Sequence, residues 1–287
     1  IRKVVPRYLA LISLMEDILD RLTPKLILEV CSYNLSSRAL TYAAKLRGIP
    51  VAEIQHGIVN RFHVGYIYRH EVIRSDTPDE MLVYGQAFKE ILTSESALFK
   101  PESIHVVGNY YIESVKNAPT IPAVQGIKNN SEGKQVALIT TQPIYEPKAY
   151  AEAVTSLKEK GYFVIIKPHP SELEEKYSTF HENNVVVSAI SVFELLKIAT
   201  IHLTISSTCA LDALQYSVPS VILKFEDHQK HLEVLRGFSG VVFQEKSIGE
   251  AIDLCSREKL TLSDDRFMTS GSADKLVSVL NKFLESK

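Results

Sequence analysis

Two α/β domains, each built on a parallel sheet, are the fold class that this sequence predicts, and three observations predict it. Apolar, β-branched runs of strand length alternate with stretches of helical spacing from Lys25 to Phe243. A single stretch rich in Pro, Asn, Gly and Lys, residues 116–134, interrupts that alternation without a period of its own. The length, 287 residues, exceeds the usual size of one domain. The expected division is a first domain over 1–117, a linker over 118–134, and a second domain over 135–287 that includes the terminal helix.

Taken in order, Val4 to Leu22 carries apolar residues at helical spacing and stops at Thr23-Pro24. Lys25 to Val30 reads as a strand, Ser36 to Arg47 as a helix closed by Gly48, and Pro50 to Gln55 as the next strand. A β-α-β unit of this length implies parallel strands joined by a right-handed crossover. Residues 58–79 form a long loop carrying Arg61, His63, Tyr66, Tyr68, Arg69, His70 and Arg74, a composition that suits a functional lid. Glu80 to Tyr84 and Ser103 to Val107 are strands with a helix between them. Beyond the linker the same grammar resumes: strands at Val136–Thr140, 162–166, Val185–Val187, 201–205, a Pro-led strand from Pro219, and Val241–Phe243. Helices are expected over 150–160, from Ser171-Glu172, over 192–199, from Ser206 to Tyr216, over 248–255 and over 273–284.

Composition narrows the function classes. With 32 basic and 34 acidic residues the formal net charge is −2, so there is no electrostatic signature of nucleic-acid binding. Cys31, Cys209 and Cys255 are odd in number and widely spaced, which argues against a disulfide framework or a zinc site and fits a reducing, cytoplasmic setting. No apolar run reaches the ~18 residues that span a bilayer and no signal-peptide pattern opens the chain. The expectation is a soluble protein, at most attached to a membrane surface. Because the sequence starts at Ile1 inside a helical pattern, part of a longer chain is expected.

Two strand-to-helix junctions carry the chemistry. Ser206-Ser207-Thr208 follows a strand and opens a helix, where hydroxyls cap free amides and leave others to meet an anion. Lys167-Pro168-His169-Pro170 follows another strand, and the flanking prolines keep the His169 imidazole out of any helix. In open α/β sheets the carboxyl ends of strands are where ligands bind, so a cradle for a diphosphate or phosphodiester is expected there. In the first domain Gln55-His56-Gly57 ends a strand, and His56 is the expected general base, since an imidazole accepts a proton near neutral pH. Gly57 is expected to let the backbone turn so that the ring faces a cleft between the domains. A simpler account makes His56 a loop tie. Glu53 and Glu29 are the competing bases, for both lie in apolar strands and a buried carboxylate needs a partner. Glu29 is expected to be structural. Glu53 and His56 are oddly spaced, so only the turn could bring their side chains together.

These residues together resemble the GT-B glycosyltransferases. More narrowly they resemble the bacterial surface-polysaccharide group of capsule-type Kdo and sialic acid transferases and CDP-glycerol glycerophosphotransferases. The resemblance spans roughly residues 25–223 and rests on Gln55-His56-Gly57, Val107-Gly108-Asn109, Lys167-Pro168-His169-Pro170, and Ser206-Ser207-Thr208 followed by Leu211-Asp212-Ala213-Leu214 and Val218-Pro219-Ser220-Val221. It implies two Rossmann-like domains, a nucleotide-activated donor held by the second and an acceptor held by the first. Only about the latter half of that family's first domain precedes the linker, so the first domain is expected to be truncated.

The resemblance also implies roles. His56 takes the acceptor's proton, as the His of a His-Gly pair does in glycerophosphate transferases. Lys167 and His169 offset charge on the leaving nucleotide, Ser206, Ser207 and Thr208 bind its phosphates, and Asp212 meets the ribose hydroxyls. Glu194 is a candidate for the base or ribose, with a surface residue at a helix start as the simpler account. Glu226, Asp227, His228 and Gln229 are candidates for the donor sugar or a solvated run. There is no Asp-x-Asp, and Asp264-Asp265 lies in a late loop, so no metal and no cofactor beyond a CMP-, CDP- or UDP-type donor is expected. The expected activity is an inverting transfer to a glycan or lipid-linked acceptor, with peripheral contact at the inner face of the membrane. A sugar-nucleotide 2-epimerase of the same fold, which needs more acid-base carboxylates in its cleft, is the alternative, as is a non-catalytic binding module.

Overall fold

Among the described residues every strand pairing is parallel, as βα units with crossovers over the sheet faces require. The structure is a computed structural model that describes residues 3–70, 75–143, 147–180, 184–226, 228–236, 238–257 and 266–285, without the side chains of residues 147, 228, 229 and 231. It divides into two units, Ile1–Tyr110 with Asp264–Lys287, and Tyr111–Ser263.

The first unit begins with helix α1 (Val4–Leu22), strand β1 (Ile27–Glu29), α2 (Leu35–Leu46), β2 (Val51–Ile54), β3 (Glu80–Val83), α3 (Gln86–Glu95) and β4 (Ile104–Val106), and its sheet runs in the order β1-β2-β3-β4. Helix α2 starts earlier than its serines suggest because Asn34 is the cap, its side chain accepting from the Ser37 amide at 2.9 Å. One face of the sheet packs Ile27 and Val51 against Leu19, Ala43 and Ala44 from α1 and α2.

In the second unit α4 (Tyr110–Asn117), α5 (Pro122–Asn130), β5 (Val136–Thr140), α6 (Pro147–Glu159), β6 (Phe163–Lys167), β7 (Val185–Val187), α7 (Val192–Leu195), β8 (Ile201–Thr204), α8 (Cys209–Gln215), β9 (Ser220–Ile222), β10 (Val241–Phe243) and α9 (Ile248–Arg257) follow in turn. Its sheet has the order β10-β9-β8-β5-β6-β7. Counted from its first strand this is the 3-2-1-4-5-6 order of a Rossmann sheet, with the reversal of direction at β5. Alternation along β5 shows why its strand is apolar throughout: Ala137 and Ile139 join one core with Tyr150, Leu157 and Ile252, while Val136 and Leu138 join another with Val124, Leu195 and Ala213. Each such buried side chain contributes about 1.5–3 kcal/mol.

Three expectations change. The stretch expected as a linker contains α5, whose Pro122 sits in its first turn and whose Val124 is fully buried in the second unit's core. It is also tied down, since the Lys197 ammonium donates to the carbonyls of Ala118 and Pro119 at 3.0 and 3.3 Å. The terminal helix α10 (Ser272–Glu285), expected in the second domain, belongs to the first unit, where Val279 packs with Ala52, Leu82 and Val107 on the second face of the four-stranded sheet. The helix expected from Ser171-Glu172 opens later and as a 3-10 helix, Glu174–Phe180, because Glu172 is buried and its carboxylate takes the hydroxyls of Thr141 and Tyr177 at 2.6 and 3.0 Å.

Candidate functional site

In the first unit the carboxyl ends of β1 and β2 lie side by side, with Glu29 opposite Glu53 in the pairing register. Cys31 follows β1 with φ 57°, in the left-handed region, and its carbonyl is held by both the amide and the side-chain amide of Asn34 at 3.1 and 2.8 Å. His56 follows β2 and is exposed. Its turn is organised by Gln55, whose side chain accepts from the Tyr84 amide at 2.8 Å and donates to the Gly57 carbonyl at 2.7 Å. Gly57 itself lies outside the left-handed region and a Cβ there would meet nothing within 4 Å, so the expected need for glycine is not what shapes the turn. Glycine is needed at Gly65, where a Cβ would stand 2.3 Å from the Tyr33 ring, and at Gly108, where φ is +80° and a Cβ would stand 2.3 Å from the Thr269 carbonyl.

Glu53 is fully buried and so is not itself a base open to substrate, which corrects its place among the catalytic candidates. Its Oε1 accepts from the Ser32 amide at 3.0 Å and from the hydroxyl of Tyr66, a buried residue of the long 58–79 loop. Burial and the Glu53 charge push the Tyr66 phenol up, so its proton stays and goes to Glu53. The Tyr66 oxygen is then left to accept from His56 Nδ1, 3.4 Å away. That assignment leaves His56 Nε2 as an acceptor, with the Cys31 Sγ at 3.0 Å and the Tyr33 hydroxyl at 3.3 Å. Glu53 and His56 are thus joined, by Tyr66 and not by the turn. His63 stacks on Tyr66 with ring centroids 4.5 Å apart, and its imidazole is pushed down by burial and by neighbouring His56. Burial, then hydrogen bonding to Cys31, pushes the Tyr33 phenol up to about 12. Glu29 takes the Thr41 hydroxyl at 2.9 Å, a structural bond as expected, and burial with the Glu53 charge pushes its carboxyl up to about 7.

Sequence reading named His56 as a candidate, placed Tyr66 only in the long loop, and did not name Cys31 or Tyr33 as neighbours of that ring. The signal for Cys31 and Tyr33 was positional, because they follow β1 as His56 follows its parallel neighbour β2. Tyr66 was one aromatic among several in the long loop.

In the second unit a cleft of about 610 Å³ opens at the carboxyl ends of β5, β6 and β8, and Lys167, His169, Ser207 and Thr208 all line it. Two neighbouring threonines prepare it: Thr141 accepts from the His169 amide at 3.1 Å, and Thr204 accepts from the Ser207 amide at 3.1 Å. A backbone amide can only donate, and the Ser171 amide points at His169 Nδ1 from 3.2 Å, so the neutral His169 ring carries its proton on Nε2. The Lys167 ammonium donates to the Pro168 carbonyl at 2.9 Å with two protons to spare, and burial pushes its ionisation down against the pull of Glu174.

The expected row of outward amides is corrected. Ser206 and Ser207 amides donate to Gln142 and Thr204 at 3.1 Å each, and the Cys209 amide donates to the Ser207 hydroxyl at 3.2 Å. What the two serines offer a ligand is side-chain hydroxyl, since these three amides hold the turn, while the amide of cleft-lining Thr208 has no partner among the described residues. Ser206 is paired with Gln142 and is not among the residues lining the cleft, and neither is Asp212. Asp212 is half-buried one turn into α8, where its surroundings push its carboxyl up to about 7 despite a hydrogen bond from Cys209. Cys209 in turn is pushed up to about 12 by burial and by Asp212. Glu194 is paired with Lys197 at 3.1 Å, the structural account of that residue. Glu226 is exposed, while Arg74, Asp227, the side chains of His228 and Gln229, and Asp264-Asp265 lie outside the described residues.

No family model matches this chain, and no curated protein matches it in sequence. Solved structures do match it. S. aureus MnaA, in a co-structure with UDP, is 14% identical with a TM-score of 0.69, covering 99% of this chain and 83% of that one. The UDP-GlcNAc 2-epimerase of Neisseria meningitidis, bound to UDP-GlcNAc, is 17% identical with a TM-score of 0.66, covering 98% and 82%. CalG4, the calicheamicin glycosyltransferase, is 14% identical with a TM-score of 0.62, covering 98% and 81%. The chain has the GT-B-like fold, two Rossmann-like parallel-sheet units, shared by glycosyltransferases and UDP-GlcNAc 2-epimerases.

Proposed function

We propose that this protein is an enzyme of nucleotide-activated sugars, with the donor's diphosphate held in the second unit's cleft and His56 handling the proton. The observation that carries it is the convergence of Lys167, His169, Ser207 and Thr208 on one cleft beside the strand where the sheet reverses direction. Its volume suits a small cofactor-sized ligand. His169 Nε2–H and the Lys167 ammonium offset the charge that grows on the departing nucleotide, and the two hydroxyls bind its phosphate oxygens.

The first reading of the reaction is transfer with inversion. An acceptor hydroxyl loses its proton to His56 Nε2 and attacks the sugar's anomeric carbon as the bond to the phosphate oxygen breaks. The Tyr66–Glu53 chain holds Nδ1 and supports the imidazolium that forms. The resemblance to capsule-type enzymes supports a surface-polysaccharide acceptor, lipid-linked and met at the inner face of the membrane, and a CMP, CDP or UDP donor; no cofactor is needed. Among the described residues no helix is long and apolar enough to cross a membrane. The second reading, 2-epimerisation of a nucleotide sugar, is supported at least as well by the neighbours in fold, two of which are named for UDP or UDP-GlcNAc complexes. A carboxylate suited to that reaction is in place as well, since exposed Glu174 lines the same cleft, whereas Glu29 and Glu53 of the first unit are buried.

NMR of UDP-GlcNAc incubated with the protein in heavy water separates the two. Epimerisation gives a second sugar configuration with deuterium at C2 and needs no acceptor. Transfer gives free nucleotide only when an acceptor is added. Neither product, with a thermal shift produced by UDP, leaves a binding module, whereas a shift from CMP, CDP or GDP alone calls for the same assay with a sugar carried on that nucleotide; no shift from any of the four refutes the proposal. A ligand at 100 times its Kd stabilises by about 2.7 kcal/mol, well within reach of that measurement.

A further inference from the structure

The Cys31 thiol is a nucleophile of the first unit that the proposed function leaves unused, and its neighbours are arranged as they are around an activated one. Three features meet there. The residue sits on a strained strand-to-helix turn, two residues after β1 and four before α2, with φ 57° and a carbonyl held twice by Asn34. Its Sγ lies 3.0 Å from His56 Nε2, the nitrogen left as acceptor. The imidazole is in turn oriented from Nδ1 by Tyr66, which is bonded to buried Glu53. Nucleophile, base and orienting group within hydrogen-bond reach are the signature of covalent catalysis.

The structure assigns Cys31 and His56 as a nucleophile–base pair that takes acyl groups from activated esters or thioesters. The thiol's proton passes to His56 Nε2, and the thiolate's electron pair forms the S–C bond to the carbonyl carbon. The carbon–oxygen or carbon–sulfur bond to the leaving group then breaks with its electrons on that group, and the imidazolium returns the proton to it. Water, losing a proton to Nε2, later forms the C–O bond of the acid as the C–S bond breaks with its electrons on Sγ, and the imidazolium returns the proton to regenerate the thiol. The Tyr33 hydroxyl, whose oxygen lies 3.7 Å from Sγ, is placed to donate to the carbonyl oxygen as it turns anionic once the thiol proton has gone to His56. Cys31 is the only cysteine in the sequence of the first unit, so no resolving thiol accompanies it there, and an acyl adduct suits it better than dithiol exchange. The inference goes beyond nucleotide-sugar chemistry, and its test contains no nucleotide, so each can fail alone.

The test is p-nitrophenyl acetate added to the full chain at neutral pH, with the p-nitrophenolate burst followed and the acetyl group located by peptide mass. The expected result is a burst near one equivalent with acetyl on Cys31, slowed on the order of 100-fold in both Cys31→Ala and His56→Asn. Acetyl only on lysines, Cys209 or Cys255, or an undiminished burst in Cys31→Ala, overturns the assignment. A second measurement needs no variant: under limiting iodoacetamide at neutral pH Cys31 is alkylated first, because Cys255 is fully buried and burial holds Cys209 as the thiol. Equal labelling of the three cysteines overturns it too.

Discussion

The two candidate sites are built on opposite plans. In the first unit the reactive groups are bonded to one another: Glu53 to Tyr66, Tyr66 to His56, His56 to Cys31 and Tyr33. In the second unit the groups that matter are bonded to the scaffold. His169 is steadied by Ser171, Lys167 by the Pro168 carbonyl and Ser207 by Thr204, and each keeps a polar atom over for the cleft they line. A chain of mutual bonds moves a proton and fixes a tautomer; donors tied down from behind hold an anion. On the proposed function this difference assigns proton chemistry to the first unit and charge binding to the second, and single substitutions should separate the two.

The largest effect is expected at His56. Replacing it with Ala removes the base and lowers turnover of the nucleotide sugar about 100- to 10,000-fold, while nucleotide affinity, read by calorimetry, is unchanged. A variant that loses affinity in step with turnover would erase the division of labour. His169→Ala, unlike His56→Ala, should lower nucleotide affinity as well as turnover. Losing one hydrogen bond to a charged phosphate, worth about 1.5–3 kcal/mol, weakens nucleotide binding about 10- to 100-fold. Binding left intact would remove His169 from the cleft's function.

The same contrast explains what was legible in the sequence. Strands such as Val136–Thr140 could be read because a parallel strand covered on both faces has no polar positions to blur it. The second site was legible for a related reason, since Lys167, His169, Ser207 and Thr208 lie immediately beyond strand ends and topology alone gathers them. The first site was not, because its middle link, Tyr66, arrives from a loop with no periodicity, and only the folded path puts its hydroxyl on Glu53. Helix α5 was hidden by its Asn, Gly and Lys residues, which cover an exposed face while Val124 does the packing. The terminal helix was assigned by nearness in sequence, whereas Leu276, Val279 and Phe283 pack with Ala52 and Leu82 of the first unit.

A smaller effect tests how tightly the first site is packed. At Gly65 an added methyl would stand 2.3 Å from the Tyr33 ring, so the ring must shift. Gly65→Ala is expected to cost about 1–3 kcal/mol in thermal unfolding, and to slow alkylation or turnover by moving the Tyr33 hydroxyl away from His56. An equivalent change at Gly57, where a Cβ meets nothing, should leave stability nearly unaltered.

The last effect is a slope of stability with pH, and it belongs to the first unit's buried carboxylate. Glu29 lies opposite Glu53 across β1 and β2, and burial, joined by the Glu53 charge, raises its carboxyl from an ordinary 4.5 to about 7 against the pull of Thr41. Across that interval the folded protein holds a proton at Glu29 that the unfolded chain has released. Its contribution is therefore complete below the unfolded value and fades as pH rises through the window, by at most about 1.4 kcal/mol per pH unit for one proton. Glu29→Gln, neutral throughout and still able to accept from Thr41, should remove this component. The comparison to make is the urea midpoint of each protein at about pH 5 and about pH 8, where only the wild-type chain should lose the extra stability. A variant that loses as much as the wild type would show that the proton sits elsewhere than on Glu29.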